Sequence, residues 1–278
     1  MLLQGDSDVI LPQLIKQGVK YDLILTDPPY NLHKDFGNQS DCLSIDDFIL
    51  KTQQRAVLFK KLLNPYGSII WFGIHSNIGY IQLALYKAGL FYRRMNIWHY
   101  ENGFSRSRKE PATHYEPFLW FSNHPNIWIY NVDAVRVPYK SQKRLKNVIT
   151  YKKSDGTNTV WKPNPKGAMR GDVWDFPTLA GNRFRKERTE HPTQKPVSLI
   201  TELIKAFCPM DDNGKYCGSI LDPFHGSGTL GVCCEQLNLQ QGNNIMWTGI
   251  ELENKWNQIA RQRLLEINSK SFYYRGCE

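Results

Sequence analysis

Residues 221–231 read LDPFHGSGTLG: an aliphatic strand end, an acid, then two closely spaced glycines leading into a helical pattern. Glycines at a strand-to-helix turn let backbone approach a ligand closely and leave the first helical N–H groups facing it. Twenty-three residues past Gly228, Glu251 ends the next apolar run, IMWTGIEL. That is close to the roughly 20-residue offset at which an acid reaches ribose hydroxyls. The pairing predicts a nucleoside site. A doubly wound fold normally opens with this unit, whereas here it follows the other strands.

Upstream, strands alternate with helical patterns: LLQGD, a helical turn near Leu11 to Gln17, YDLILT, a helix from about Ile45 to Leu63, GSIIWFG, a helix near Asn77 to Ala88, and YRRMNIWHY. The Ser44 to Asp47 spacing resembles a capping box with Asp in place of Glu, where the long helix should begin. After about residue 190 the alternation resumes with VSLITELIKAFC (helical), GSILD (strand), GTLGVCCEQL (helical), IMWTGIEL (strand) and NKWNQIARQRLLEI (helical). Such alternation argues for a parallel α/β sheet. The expected fold is a doubly wound, circularly permuted Rossmann-like sheet with helices on both faces, its usual first strands moved to the end and the order resuming at LLQGD. Ligands bind beyond the carboxyl ends of such strands, so Asp6, Asp27, Asp222 and Glu251 should converge on one crevice. Residues 1–100 and 189–278 form the expected catalytic domain. Residues 101–188, irregular apart from a strand-like HYEPFLWF, read as an insertion.

At 278 residues the chain can bury a full core. It has no apolar run of membrane-spanning length and no signal-peptide layout, so it reads as cytoplasmic. The six cysteines form no CxxC pair and none stands at metal-ligand spacing from a histidine, so no metal is expected; Cys233 and Cys234, in a helical pattern, read as reduced packing thiols. The net charge of +9 is regional. Between Arg136 and Arg188, 14 Lys or Arg face 4 Asp or Glu, which leaves −1 for the rest of the chain. Tyr139, Tyr151, Trp161, Trp174 and Phe184 are interleaved with those charges. Positive charge among aromatics is the footprint of nucleic-acid binding, with Lys143, Arg144, Lys146, Arg183, Arg185 and Lys186 as candidate DNA contacts.

LTDPPYNL, residues 25–32, places Asp27 at a strand end before two prolines. Each proline removes a backbone N–H, so the chain there offers acceptors and almost no donors, a setting suited to an amino group.

DPPY at 27–30, HPTQKP at 191–196 and DPFHGSG at 222–228, in that order around a variable region, resemble the β-class amino methyltransferases of DNA. The resemblance spans both α/β segments and implies that residues 101–188 are the target-recognition, DNA-binding insertion. It implies methyl transfer from S-adenosylmethionine to an exocyclic base nitrogen in double-stranded DNA, with the target base flipped out of the duplex. Asp27 and the Pro28 carbonyl would accept from the amine, Pro29 would keep donors away, and Tyr30 would stack on the base. For the donor, the resemblance implies Phe224 against adenine, Gly226, Ser227 and Gly228 in close contact, and Glu251 on the ribose. Asp6 would meet the adenine amine, Asp222 would belong to the same strand-end site, and Thr193 and Lys195 would lie near the methionine carboxylate. His191 and His225 read as motif neighbours, neither bases nor ligands. The family also suggests a homodimer and a cognate restriction endonuclease. Asp at position 27, where cytosine-N4 enzymes usually carry Ser, favours adenine N6. Cytosine N4 is the nearest rival, and a non-catalytic nucleotide-binding module is the further one.

Overall fold

Apolar runs separated by helical pattern become strands of one sheet. The computed structural model describes residues 1–32, 41–103, 108–146, 149–240 and 242–275, apart from the side chains of Gln142, Arg144 and residues 268–275. The first half runs β1 (Leu2–Gln4), α1 (Ser7–Lys16), β2 (Tyr21–Thr26), α2 (Ile45–Leu62), β3 (Leu63–Phe72), α3 (Ile78–Lys87), β4 (Phe91–His99) and β5 (Tyr115–Ser122). The second half runs α4 (Gln142–Lys146), β6 (Ile149–Lys152), β7 (Asn158–Trp161), β8 (Val173–Asp175), α5 (Val197–Phe207), β9 (Ser219–Asp222), α6 (Thr229–Asn238), β10 (Met246–Glu251) and α7 (Asn254–Arg275).

Eight strands form one sheet in the order β1-β10-β9-β2-β3-β5-β4-β8. The run from β1 to β3 is parallel. The late strands β9 and β10 thus slot between β1 and β2, as a permuted order requires. β5 enters antiparallel between β3 and β4, and β8 pairs parallel to β4.

Alternation decides which side chain meets which layer. Leu23, Leu25, Ile70 and Phe72 point to one face, where they pack with Leu199, Leu203 and Phe207 of α5 and Leu230 and Cys233 of α6. Ile24, Ile69 and Trp71 point to the other, against Leu11 of α1, Phe59 of α2 and Ala84 of α3. A strand covered on both faces must be apolar throughout, which is why YDLILT lacks the polar alternation of a half-exposed strand. α2 starts where the capping spacing said it would: Ser44 Oγ accepts from Asp47 N at 3.1 Å and donates to Asp47 Oδ2 at 2.7 Å. Cys208, Cys233 and Cys234 are buried among these helices, and burial pushes the Cys208 and Cys233 thiols up to about 12. Among the described residues, no helix is long and apolar enough to cross a membrane.

Part of residues 101–188 joins the sheet. They contribute β5 and β8, because HYEPFLWF is long and apolar enough to lie in the centre of a sheet and VWD adds an edge. Trp174 of β8 is 1% exposed and packs against Phe118 and Phe207. What does leave the sheet is the two-stranded β6–β7 ribbon.

Phe207 closes an aromatic cluster with Trp120, Tyr130 and Trp174, with centroids at 4.8, 5.6 and 6.5 Å. Phe207→Ala is expected to destabilise the protein by about 3–5 kcal/mol in urea denaturation. A loss below about 1 kcal/mol would mean the cluster collapses around the gap.

Candidate active site

The acids at the strand ends line a single cleft. β1 leads to Asp6, which caps α1 by accepting from Asp8 N at 2.8 Å. β2 leads to Asp27, β9 ends at Asp222 and β10 at Glu251. Around them the cleft is walled by Phe224, Gly226, Ser227, Thr193, Lys195 and Trp256.

Gly226 and Gly228 take positive φ, 51° and 84°. A Cβ on Gly226 would lie 2.9 Å from His191 Nε2, and one on Gly228 2.7 Å from the Cβ of Ala260 in α7. Gly226 borders the cleft, whereas Gly228 caps α6 behind it. Glu251 accepts from Gly226 N at 2.7 Å and Glu253 N at 2.8 Å, which aims its carboxylate across the loop. Burial pushes the Glu251 carboxyl above its ordinary value. One face of Phe224 carries the guanidinium of Arg55 at 4.7 Å, and Asp8 holds that guanidinium through two bonds of 2.8 and 2.9 Å.

Beyond Asp27 the chain is pinned on both sides. Asn31 sits at φ 60° and exchanges side-chain bonds with the Leu43 backbone at 2.9 and 2.7 Å. Asp41 accepts from the backbone N–H of Asn31 and Leu32, and Asn77 Nδ2 donates to the Tyr30 carbonyl at 3.0 Å. The Tyr30 ring is 8% exposed, and its hydroxyl donates to Asp27 Oδ1 with Glu116 Oε2 at 3.0 Å.

Lys195, 7% exposed, completes the group. Its ammonium lies 2.5 Å from Asp27 Oδ2, 3.1 Å from the Tyr30 hydroxyl and 3.2 Å from Glu116 Oε2. Two of its hydrogens go to Asp27 and the Tyr30 hydroxyl, and Glu116 stands at ion-pair distance. Lys195 borders the cleft, and its ammonium faces Asp27 and Glu116, two partly buried acids that need a counter-ion. Burial disfavours its charge, yet the two carboxylates outweigh burial and hold the Lys195 pKa above its ordinary value. Burial, reinforced by the same carboxylates, raises the Tyr30 phenol well above its usual range, so it stays protonated.

Of the basic candidates, Lys143, Lys146, Arg183, Arg185 and Lys186 are exposed, while the Arg144 side chain lies outside the described residues. The stretch from Arg183 to Lys186 is followed directly by Glu187. The Glu187 carboxylate accepts from Val197 N at 2.7 Å and its carbonyl from Gln194 Nε2 at 3.0 Å, tying this stretch to the HPTQKP loop. His191 packs on Trp256 and His225 stacks on Trp247.

The model of a DNA methylase family matches residues 21–262. The Type II methyltransferase M.HpaI of Haemophilus parainfluenzae is 31% identical over 87% of this chain and 68% of its own length. M.ScaI of Streptomyces caespitosus is 31% identical over 98% and 83%. The DNA adenine methyltransferase YhdJ of Escherichia coli (strain K12) is 28% identical over 95% and 82%. This chain belongs to the DNA methylase family. The fold agrees with that of two solved methyltransferases. The M1.HpyAVI–SAM complex has a TM-score of 0.62 at 22% identity, covering 95% of this chain and 98% of its own. The cytosine-N4-specific PvuII DNA methyltransferase has 0.64 at 15%, covering 100% and 93%.

Members of this family methylate an exocyclic amine of adenine or cytosine in DNA and take the methyl group from S-adenosylmethionine. The cleft of this methyltransferase fits that donor. Its glycine turn leaves no room for a side chain, an aromatic face lies beside it, and a buried carboxylate points across it.

Glu116, Arg55 and Asn77 were not singled out from the sequence. Glu116 did leave a signal: one acid inside an otherwise apolar run, HYEPFLWF, needs a buried partner. Arg55, inside a helical stretch, and Asn77, at the turn before α3, left none.

Lys195→Met strands two carboxylates around a single hydroxyl. It is expected to lower stability by about 3–5 kcal/mol at pH 7, as breaking a buried ion pair does. Adding Glu116→Gln, which removes one of the two charges, should restore part of the loss in the same denaturation series. Strictly additive losses would show that Lys195 and Glu116 act independently.

Proposed function

We propose that this methyltransferase acts on adenine N6 in double-stranded DNA, at a base flipped from the helix, with Asp27 facing the target amine. The observation that carries this is the charge at the end of β2: Asp27 and Glu116 share the single ammonium of Lys195 and leave one net negative charge around a neutral Tyr30.

An aromatic amine is a poor nucleophile because its lone pair is delocalised into the ring. In attacking, it must pyramidalise and gain positive charge. An acceptor placed at its N–H groups stabilises that change selectively in the transition state, and a fixed negative charge does so without reorganising. S-adenosylmethionine supplies an activated methyl group on a sulfonium. Asp27 and the Pro28 carbonyl receive the amine hydrogens, and Pro29 keeps competing donors away. Each Asp27 oxygen already holds one partner and keeps a lone pair for the amine. Lys195 and Tyr30 fix the carboxylate's orientation, so little alignment is left for the moment of reaction.

On the donor side, Glu251 takes the ribose hydroxyls, Phe224 the adenine face, Asp6 and Asp222 the neighbouring polar edge, Gly226 and Ser227 the close backbone approach, and Thr193 the methionine end. Gly228 shapes the loop from behind. The exposed Arg183, Arg185 and Lys186 beside the HPTQKP loop suit the DNA backbone near the flipped base, and Lys143, Arg144 and Lys146 suit it further out. Adenine is favoured over cytosine by Asp at position 27 and by the 28% identity to YhdJ, named as an adenine enzyme.

Asp27→Ala should reduce methyl transfer from labelled donor to duplex DNA by 10²-fold or more, with donor affinity by calorimetry unchanged. Turnover above about one-tenth of wild type would remove Asp27 from this role. Nucleoside analysis of the wild-type product should give N6-methyladenine; N4-methylcytosine would overturn the adenine reading. Gly226→Val, set at a positive φ and against His191, should abolish donor binding measured the same way. Undiminished affinity would take this loop out of the donor site.

A further inference from the structure

We propose that the outward face of the β6–β7 ribbon reads base edges in the major groove, with Asn158 and Lys152 as the specificity-determining pair. This rests on the chain acting on duplex DNA and goes further, by separating residues that read sequence from those that only hold the backbone.

Cross-strand pairing fixes the faces of the ribbon. Ile149 lies opposite Trp161, Thr150 opposite Val160, Tyr151 opposite Thr159 and Lys152 opposite Asn158. Since successive side chains alternate, Trp161, Thr159, Ile149 and Tyr151 share one side and Thr150, Val160, Lys152 and Asn158 the other. The first side is anchored: Trp161 meets Tyr139 edge-on at 5.8 Å, and the Tyr139 hydroxyl accepts from Asn164 N at 2.7 Å. On the second side all four residues are exposed. No hydrogen bond or ion pair among the described residues engages the side chains of Asn158 and Lys152. An exposed Val beside Thr, Asn and Lys is a surface left uncovered by the described residues.

Charge identifies what covers it. Between Arg136 and Arg170 the sequence holds ten Lys or Arg and one acid, Asp155. Arg136, Lys166 and Arg170 are neutralised by Asp133 and Glu202. Lys140, Lys143, Lys146, Lys152, Lys153 and Lys162 are exposed and form no salt bridge among the described residues. A polyanion is the partner such a surface fits.

The size of the ribbon fits a groove. Two strands about 5 Å apart enter a major groove about 12 Å wide. The rows Thr150/Val160 and Lys152/Asn158 stand about 7 Å apart, close to two base-pair steps. The side chains match the groove's chemistry as well. A carboxamide pairs with adenine N6 and N7, an ammonium with guanine O6 and N7, and Val or Thr methyls with the thymine methyl. The neighbouring lysines supply contacts to phosphate, which position without specifying.

The test is methylation of a duplex library varied at every position of the recognition sequence, using the full chain carrying Asn158→Ala or Lys152→Ala. Both sites are exposed, so the fold and donor affinity should hold. Each variant is expected to lose about tenfold or more of its discrimination at one position, and the two affected positions should be neighbours or near neighbours. Unchanged preference at every position in both variants overturns the ribbon as a reader. So does a uniform fall on all sequences, which is the mark of a phosphate contact. A wild-type chain that methylates no duplex would fell the duplex reading itself, and the ribbon with it.

Discussion

The ammonium of Lys195 meets Asp27 and Tyr30 from the turn after β2 and Glu116 from β5, and its closest partner, Asp27, is 168 residues away in sequence. Ions this deep lose most of their hydration, a penalty of several kcal/mol each, and attraction repays it only when every hydrogen and lone pair is satisfied. The rest of the architecture meets that demand. β5 lies antiparallel beside β3 and carries Glu116 into the site, the HPTQKP loop is held by Glu187 and Thr189, and Asn77 and Asp41 hold the loop that carries Tyr30. The rings of Phe72, Tyr30 and Trp98 stand 5.2 to 5.7 Å from the ammonium and add a further favourable field. Packing in this region is therefore specific to one arrangement of charges, and the charges in turn keep the three segments in register.

The elements most legible in the sequence were those whose evidence is local. β2 and β9 announce themselves as short aliphatic runs ending in an acid, α2 by its Ser44 cap, and the glycine turn by two residues that tolerate positive φ. From these ends the strand-end rule brings four acids to one cleft on sequence alone. Local pattern says nothing about which distant group satisfies a buried charge. The motif that matches Lys195 to the donor carries no sign of its contacts with Asp27 and Glu116. β8 was invisible for a different reason: three residues are too few to show alternation, and its burial comes from Trp174 meeting Phe118 and Phe207 across the sheet. The same limit hid the role of HYEPFLWF, whose length and apolarity predict a strand but not that it would lie between β3 and β4.

The uneven charge of the chain acquires a physical meaning from the two surfaces it separates. Asp6, Asp8, Asp27, Asp222, Glu251 and Glu253 all border the cleft, with Lys51, Arg55 and Lys195 as its basic residues. An excess of acids attracts a sulfonium and repels phosphate, so the cleft favours the donor and would by itself turn DNA away. The basic residues of 136–188 offset this, and they can do so only nearby, since charge is screened over about 8–10 Å at physiological salt. Glu187, which bonds to Gln194 and Val197, ties the segment of Arg183, Arg185 and Lys186 to the HPTQKP loop, part of which lines the cleft. Under the proposed function, a duplex held there would present its backbone to these cations and a flipped base to the acids. The neutral base, unlike the phosphates, would meet no repulsion in the cleft, and its amine would gain from the same negative charge that keeps the rest of the polymer out.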